Sequence, residues 1–270
     1  MLAVDPPLSE AKRQYPLFQE FLPPGEIVDG DYLLRFARTA GDLDAALKLR
    51  YDVFNLELKE GLDASHETQR DEDEFDAQCH HSIVWDKTTG KIVGTYRMQT
   101  HEMARRGRGF YSAVEFDLAG LPTDVLDQAV ELGRACVAKE HRNSRVLFLL
   151  WRGLAQYLAH NQKRYLFGCC SLTSQDPAEG KAVMDYLAEH GHVHPSFSVL
   201  PQPGYACGSK ETVATQPATV QVPRLMKIYL MYGAKICGPP AIDRQFKTID
   251  YLGLIDVHEL DEKTFRYFFR

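Results

Sequence analysis

A chain of 270 residues, 44% hydrophobic and 25% charged, can bury one large core or two small ones and is too apolar to be disordered. Its formal charge of −6 argues against bulk nucleic-acid binding, and its six cysteines include no CxxC pair, so they read as reduced thiols of a cytosolic protein. No apolar run reaches the roughly 18 residues of a membrane span, and Met1 to Pro24 lacks the basic start and apolar stretch of a signal peptide. The expected location is therefore cytoplasmic, with at most peripheral contact with the inner face of the membrane.

After an N-terminal extension (1–30), residues 31–38 read as a first strand. Residues 42–58 read as a helix with Leu43, Leu47, Phe54 and Leu58 on one face and Arg50 beside them. An acidic loop follows, carrying Asp71, Glu72, Asp73, Glu74 and Asp76. Two strands, 81–85 and 92–99, then form a hairpin about a turn ending in Gly90. Residues 100–124 read as irregular and basic, and 130–137 as a fourth strand carrying Glu131 and Arg134. A basic turn leads into a helix capped by Asn143 or Ser144, with Val146, Leu149, Leu150, Gly153, Leu154, Tyr157 and Leu158 on one face. A fifth strand (164–171) precedes a helix opened by Asp176, Pro177 and a capping-box-like Glu179, and stopped by Gly191. Residues 192–221 read as a long loop or lid, 223–233 as a short helix and 246–257 as a last strand. The 258–270 tail interleaves aromatics with arginines, and is expected to dock on the domain or to rest in a membrane interface.

The chemistry concentrates at the fourth strand and the turn behind it. Free N–H groups at the start of a helix, flanked by Arg142 and Arg145, make an anion site suited to phosphate. Glu131 and Arg134 are three apart, so a regular pleat separates them and only a bulge brings them to one side. Arg50 and Arg97 lie on apolar faces and need buried partners, for which Asp73 and Asp76 are the candidates. These four either stitch the acidic loop to the sheet or bind amines of an acceptor, whereas Asp71, Glu72 and Glu74 are expected in solvent. His80, His81 and His101 have no second ligand cluster, so no metal is expected. Cys136 lacks an activating histidine and is not expected to carry an acyl group.

The element order β-α-β-β-β-α-β-α, with a phosphate-cradling turn after the fourth strand, resembles the GNAT superfamily of N-acyltransferases. The strings Arg50-Tyr51-Asp52-Val53-Phe54, Asp73-Glu74-Phe75-Asp76, Gly94-Thr95-Tyr96-Arg97 and Glu131-Leu132-Gly133-Arg134 resemble motifs of acyl-homoserine lactone autoinducer synthases and N-acyl amino acid synthases. Tyr229-Leu230-Met231-Tyr232-Gly233-Ala234 and the run from Pro240 to Thr248 are similar to bacterial ornithine-lipid acyltransferases, also labelled hemolysin-like.

The resemblance implies an α/β (α+β) fold: a mixed, mostly antiparallel sheet flanked by helices and splayed at the fourth and fifth strands, within a domain of residues 31–257. It implies transfer of a long, often 3-hydroxylated acyl chain from acyl carrier protein to the α-amine of an amino acid, typically ornithine. No cofactor is expected to be bound; the donor is the carrier's acyl-phosphopantetheine. A turn without glycine between Lys139 and Arg145 suits one phosphodiester better than a coenzyme's pyrophosphate. Arg142, Asn143, Ser144, Arg145 and Arg152, with Lys163 and Arg164, are the expected contacts of this arm and its acidic carrier.

Glu131 is the expected proton acceptor, and Arg134 the group that orients it or binds the acceptor carboxylate. Asp73, Asp76, Arg97 and Arg50 are the expected acceptor site, and backbone N–H groups near Cys136 and Val137 the oxyanion hole. Other readings remain open at this point: another amino acid as acceptor, an autoinducer synthase, or a non-catalytic carrier-binding or membrane-active protein.

Overall fold

The computed structural model describes residues 14–208 and 220–269. Its centre is a nine-stranded sheet in the order β1 (Ile27–Asp29), β2 (Tyr32–Phe36), β3 (His80–Asp86), β4 (Lys91–Thr100), β6 (Ala129–Val137), β7 (Tyr165–Leu172), β11 (Thr248–Asp256) and β10 (Ala241–Asp243), with β9 (Lys235–Ile236) also on β11. A small second sheet pairs β5 (Phe116–Asp117) with β8 (Leu200–Pro201). Every pairing in the large sheet is antiparallel except β6 with β7.

Alternation along the strands assigns the layers. Ile83 packs under the Ala40–Tyr51 helix with Leu43 and Leu47, whereas its neighbour Val84 packs under the Ser144–Asn161 helix with Leu150 and Leu154. The Ser144–Asn161 helix starts where expected, with the Asn143 side chain accepting the N–H groups of Arg145 and Val146. The Pro177–Glu189 helix covers Ile249 and Tyr251, and the Tyr251 hydroxyl donates to the Gly180 carbonyl. The result is the mixed, mostly antiparallel sheet between helices that the sequence implied.

The splay between β6 and β7 is abrupt. They pair only at Ala129–Glu131 against Tyr165–Phe167, after which β6 follows β4 and β7 follows β11. Gly168 marks the parting, since a Cβ there would lie 2.1 Å from the Leu132 carbonyl oxygen.

Several local expectations are corrected. The first helix is α-helical only over Ala40–Tyr51, and widens to a π-helical turn over Asp52–Glu57. The stretch expected to be irregular holds short helices at His101–Arg106, Ser112–Glu115 and Thr123–Asp127. Glu179 does not close a capping box, because the Asp176 N–H is taken by Ser174 Oγ. The described part of the expected lid lies along the core: Val199 is buried and its N–H binds the Cys237 carbonyl, while residues 209–219 lie outside the described residues. The C-terminal helix, Glu262–Phe269, docks by inserting Phe268 between Trp151 and Tyr232.

Candidate active site

The bulge that Glu131 and Arg134 require is present. Thr95 faces Cys136 and Arg97 faces Gly133, so Arg134 and Ala135 together oppose Tyr96, with Arg134 at φ 51°. Both side chains consequently reach Tyr111. Glu131 accepts its backbone N–H at 3.0 Å, and the Arg134 guanidinium lies 4.8 Å from its ring centroid and 4.2 Å from that of Phe246.

A cavity of about 750 Å³ opens where β6 and β7 separate. One wall is Leu132 to Val137, the other Leu166 to Ser171, and the Arg224–Met231 helix lies alongside. Leu147, Leu150, Trp151, Met226 and Ile228 make much of it apolar. Val53 and Phe54 also line it, from the π-helical turn. At its exposed rim stand Arg142, Asn143 and Ser144. Besides Arg142, five acidic and basic groups line it: Glu60, Glu115, Asp250, Arg134 and Arg224.

Glu131 lies behind the wall of this cavity. Its carboxylate accepts from Gln99 Nε2 at 2.7 Å and from the N–H groups of Tyr111 and Ser112 at 3.0 and 2.7 Å, and it borders a recess of about 10 Å³ with Arg97. It thereby anchors the turn that begins the Ser112–Glu115 helix.

The acidic loop and three arginines form one buried ion network. Arg50 binds Asp71 at 2.7 Å and Asp76 at 2.5 Å, Arg97 binds Asp73 at 2.6 Å and Asp76 at 3.0 Å, and Arg134 binds Asp73 at 3.1 Å. Three cations thus meet three anions. Asp71, expected in solvent, is fully buried here; Glu74 is exposed and pairs with Arg108. Burial alone would raise the Asp76 carboxyl, but Arg50 and Arg97 outweigh it and hold it well below the ordinary carboxylate range. Of these six charged groups only Arg134 lines the large cavity, so Asp73, Asp76, Arg97 and Arg50 stitch the loop to the sheet.

The ladder sorts the expected oxyanion donors. The Ala138 N–H binds the Val93 carbonyl at 2.8 Å, and alternation turns the Cys136 N–H toward β4 as well, leaving the Val137 N–H facing the gap. Burial pushes the Cys136 thiol up, and the same cause raises Cys170 to about 12. Both stay protonated and poorly nucleophilic at neutral pH.

Most of the expected docking cations have partners within the chain. Arg142 is held bidentately by Glu57 at 2.6 and 2.7 Å, Lys163 by Glu102 at 2.5 Å and Arg164 by Asp256 at 2.5 Å, while Arg152 packs on the Phe148 ring. Arg145 is exposed and, like Arg152, stands off the cavity. His80 and His81 serve the core: His80 pairs with the Tyr157 hydroxyl and the Leu17 carbonyl, and His81 with Asp76 and the Tyr15 hydroxyl. Burial lowers the His80 ring to about 4.

One acidic group escaped the sequence reading. Glu115 and Asp250, which line the cavity, meet Asp243 from a third element, each bringing a carboxylate oxygen within 4.8 Å of the others. Two signals were available: Asp243 follows Ala241-Ile242, and Asp250 lies between Ile249 and Tyr251 in an apolar strand. No helix among the described residues is long and apolar enough to cross a membrane.

Comparison with known proteins identifies the family. Residues 49–152 match the profile described as Acetyltransferase (GNAT) domain. The chain is 32% identical over 252 residues to the L-ornithine N(alpha)-acyltransferase of Brucella abortus, an alignment covering 88% of this chain and 89% of that one. It is 32% identical over 245 residues to the protein of the same name from Agrobacterium fabrum, covering 87% and 84%. A solved N-acyl amino acid synthase from uncultured soil microbes superposes with a TM-score of 0.49 at 11% identity, over 84% of this chain and 92% of that one. The chain therefore belongs to the L-ornithine N(alpha)-acyltransferase family and is an acyltransferase of GNAT fold.

Proposed function

We propose that the protein moves a fatty acyl chain, 3-hydroxylated in its preferred form, from acyl carrier protein to the α-amine of L-ornithine, giving lyso-ornithine lipid. The observation that carries this reading is the continuous cavity, with a polar rim, an apolar middle and an acidic end beside Arg134. The names of the relatives support ornithine as acceptor.

In this reading the phosphopantetheine arm enters past Arg142, Asn143 and Ser144, where the Ser144 N–H and hydroxyl and the Arg142 guanidinium meet its phosphate, the Arg145 and Val146 N–H groups being held by the Asn143 cap. The acyl chain lies along Leu150, Trp151 and Met226. The thioester oxygen faces the Val137 N–H at the bulge. Arg134 receives the acceptor carboxylate, and Glu131 acts as a positioning residue that holds Tyr111. The neutral α-amine attacks the thioester carbon: the C–N bond forms, the C–S bond breaks, and the departing thiolate takes the proton that the nitrogen loses. An α-amine with a pKa near about 8 is deprotonated far more easily than a side-chain amine near about 10.4.

Peripheral membrane contact belongs to the same proposal. The lyso-lipid is amphiphilic, and Met231 and Tyr267, 81% and 59% exposed, lie on the neighbouring Arg224–Met231 and Glu262–Phe269 helices.

The test is incubation with 3-hydroxyacyl carrier protein and a panel of amino acids, following carrier-thiol release and product mass. α-Acylated ornithine is expected. Release only from acyl-coenzyme A would replace the donor, and no release from either thioester with any amine would overturn the reading.

A further inference from the structure

The buried carboxylates at the end of the cavity lack a cation. Glu115, Asp243 and Asp250 are 1%, 6% and 3% exposed, and none forms an ion pair among the described residues. Two of them are partly satisfied. Asp250 accepts the hydroxyls of Ser171 and Thr248 at 2.5 and 2.8 Å, and Asp243 accepts the N–H groups of Gln245 and Phe246 at 2.8 and 2.9 Å and the Tyr111 hydroxyl at 3.4 Å. Glu115 is different: neither of its oxygens makes a hydrogen bond of normal geometry, the Tyr111 hydroxyl shared with Asp243 being the donor that approaches it, and its side chain lines the cavity. Arg134, the nearby guanidinium, makes its ion pairs with Asp73 at 3.1 Å and Asp71 at 3.6 Å and none with these three carboxylates, keeping donors toward the cavity. A buried carboxylate with no donor is costly unless something else supplies the charge.

The geometry fits an ammonium group. Three oxygens each about 2.8 Å from a tetrahedral nitrogen stand about 4.6 Å apart, and an ammonium has three N–H donors to give. The three carboxylate oxygens lie within 4.8 Å of one another. A hard divalent cation would instead draw six or more oxygens around itself, and most of the lone pairs on Asp243 and Asp250 already face hydroxyls and N–H groups. Burial first, and then repulsion from Asp250 and Asp243, raise the Glu115 carboxyl well above its ordinary range, so the empty cluster favours its neutral acid and a bound ammonium favours its carboxylate.

We propose that Glu115, Asp243 and Asp250 form the receptor for the side-chain ammonium of an α,ω-diamino acid acceptor. The inference rests on the acyl-transfer reading above and names the residues that set its acceptor class. Carboxylates keep the bound ω-amine protonated and so unable to attack, while the α-amine, directed to Arg134 and the bulge, stays free to lose its proton. The cluster thus selects both the substrate and the amine that reacts. The three-carbon side chain of ornithine fits the proposal, and norvaline, which has the same carbon skeleton without the amine, does not.

Calorimetric titration with ornithine and with norvaline, on the wild type and on Glu115→Gln and Asp250→Asn, separates the outcomes. Ornithine is expected to bind at least about 30-fold more tightly than norvaline, the ratio expected of a hydrogen-bonded buried charge, and both variants are expected to lose most of that preference. Melting temperatures check that the isosteric amides fold. Equal binding of the two amino acids by the wild type, or an unchanged preference in both variants, would overturn the proposal. So would Mg²⁺ or Ca²⁺ binding lost in Glu115→Gln and not displaced by ornithine, which would mark a metal site. Absence of thiol release from any thioester, with the ornithine preference intact and dependent on Glu115, would overturn acyl transfer and leave the ammonium site standing.

Discussion

At the scale of single residues, Arg50 shows what a buried charge demands. It is fully buried, and its guanidinium holds Asp71 and Asp76 together beneath the acidic loop. Replacing it by Leu strands two carboxylates in the core, and removing one partner of a buried pair costs about 3–5 kcal/mol. Denaturant unfolding of Arg50→Leu should show that loss, whereas Lys181→Ala, which breaks the exposed pair with Asp185, should cost under about 0.5 kcal/mol. Equal effects from the two changes would mean that the network contributes no more than a surface pair. The partnership of Arg50 and Arg97 with Asp73 and Asp76 was legible because an arginine on an apolar face must find an anion. Asp71 was misread because its neighbours Glu72 and Glu74 look like a solvated run, and only the loop's fold turns it inward.

At the scale of elements, the site is made by a departure from regular pairing. The bulge at Arg134-Ala135 turns β6, and Gly168 lets β7 pass the Leu132 carbonyl before the two strands part. Gly168→Ala puts a Cβ 2.1 Å from that carbonyl oxygen. Overpacking against backbone costs about 1–3 kcal/mol and here shifts a cavity wall. A melting temperature lowered by several degrees, with acyl transfer reduced by more than the unfolded fraction explains, is the expected result. A variant with wild-type stability and rate would show that the strands part for another reason. The need for a bulge was readable from the three-residue spacing of Glu131 and Arg134. That the cavity would recruit Glu115 from the 100–124 stretch was not, since a four-residue helix leaves almost no periodic signal.

At the scale of the whole molecule, the charge network makes the fold acid-sensitive in a definite window. Asp76 is held well below the ordinary carboxylate range, so its stabilisation is present above its unfolded pKa near about 4 and is lost as pH falls toward the folded value. His80, lowered to about 4 by burial, adds an earlier loss, as pH falls from about 6.5 in the unfolded chain toward about 4 in the fold. Glu60, Glu115 and Asp250 are shifted upward, so they oppose this loss most above pH 4 and progressively less below it, as the unfolded chain takes up the same protons. The melting temperature should therefore fall steeply between pH 4 and pH 3, and a flat profile there would contradict the assigned ion network.

The family motifs, the succession of the main strands and helices and the capped start of the Ser144–Asn161 helix were determined by the sequence alone, because periodicity, caps and ordered strings are local properties. Tertiary structure decided which charges are consumed in holding the fold and which face the cavity. Asp73 and Asp76 stand in a motif yet are saturated by arginines, whereas Glu115 lies far along the chain from Asp243 and Asp250 and meets them only when the Ser112–Glu115 helix comes against the β10–β11 hairpin. A carboxylate reads the same in a sequence whether or not an arginine lies across from it, and only long-range packing supplies or withholds that partner.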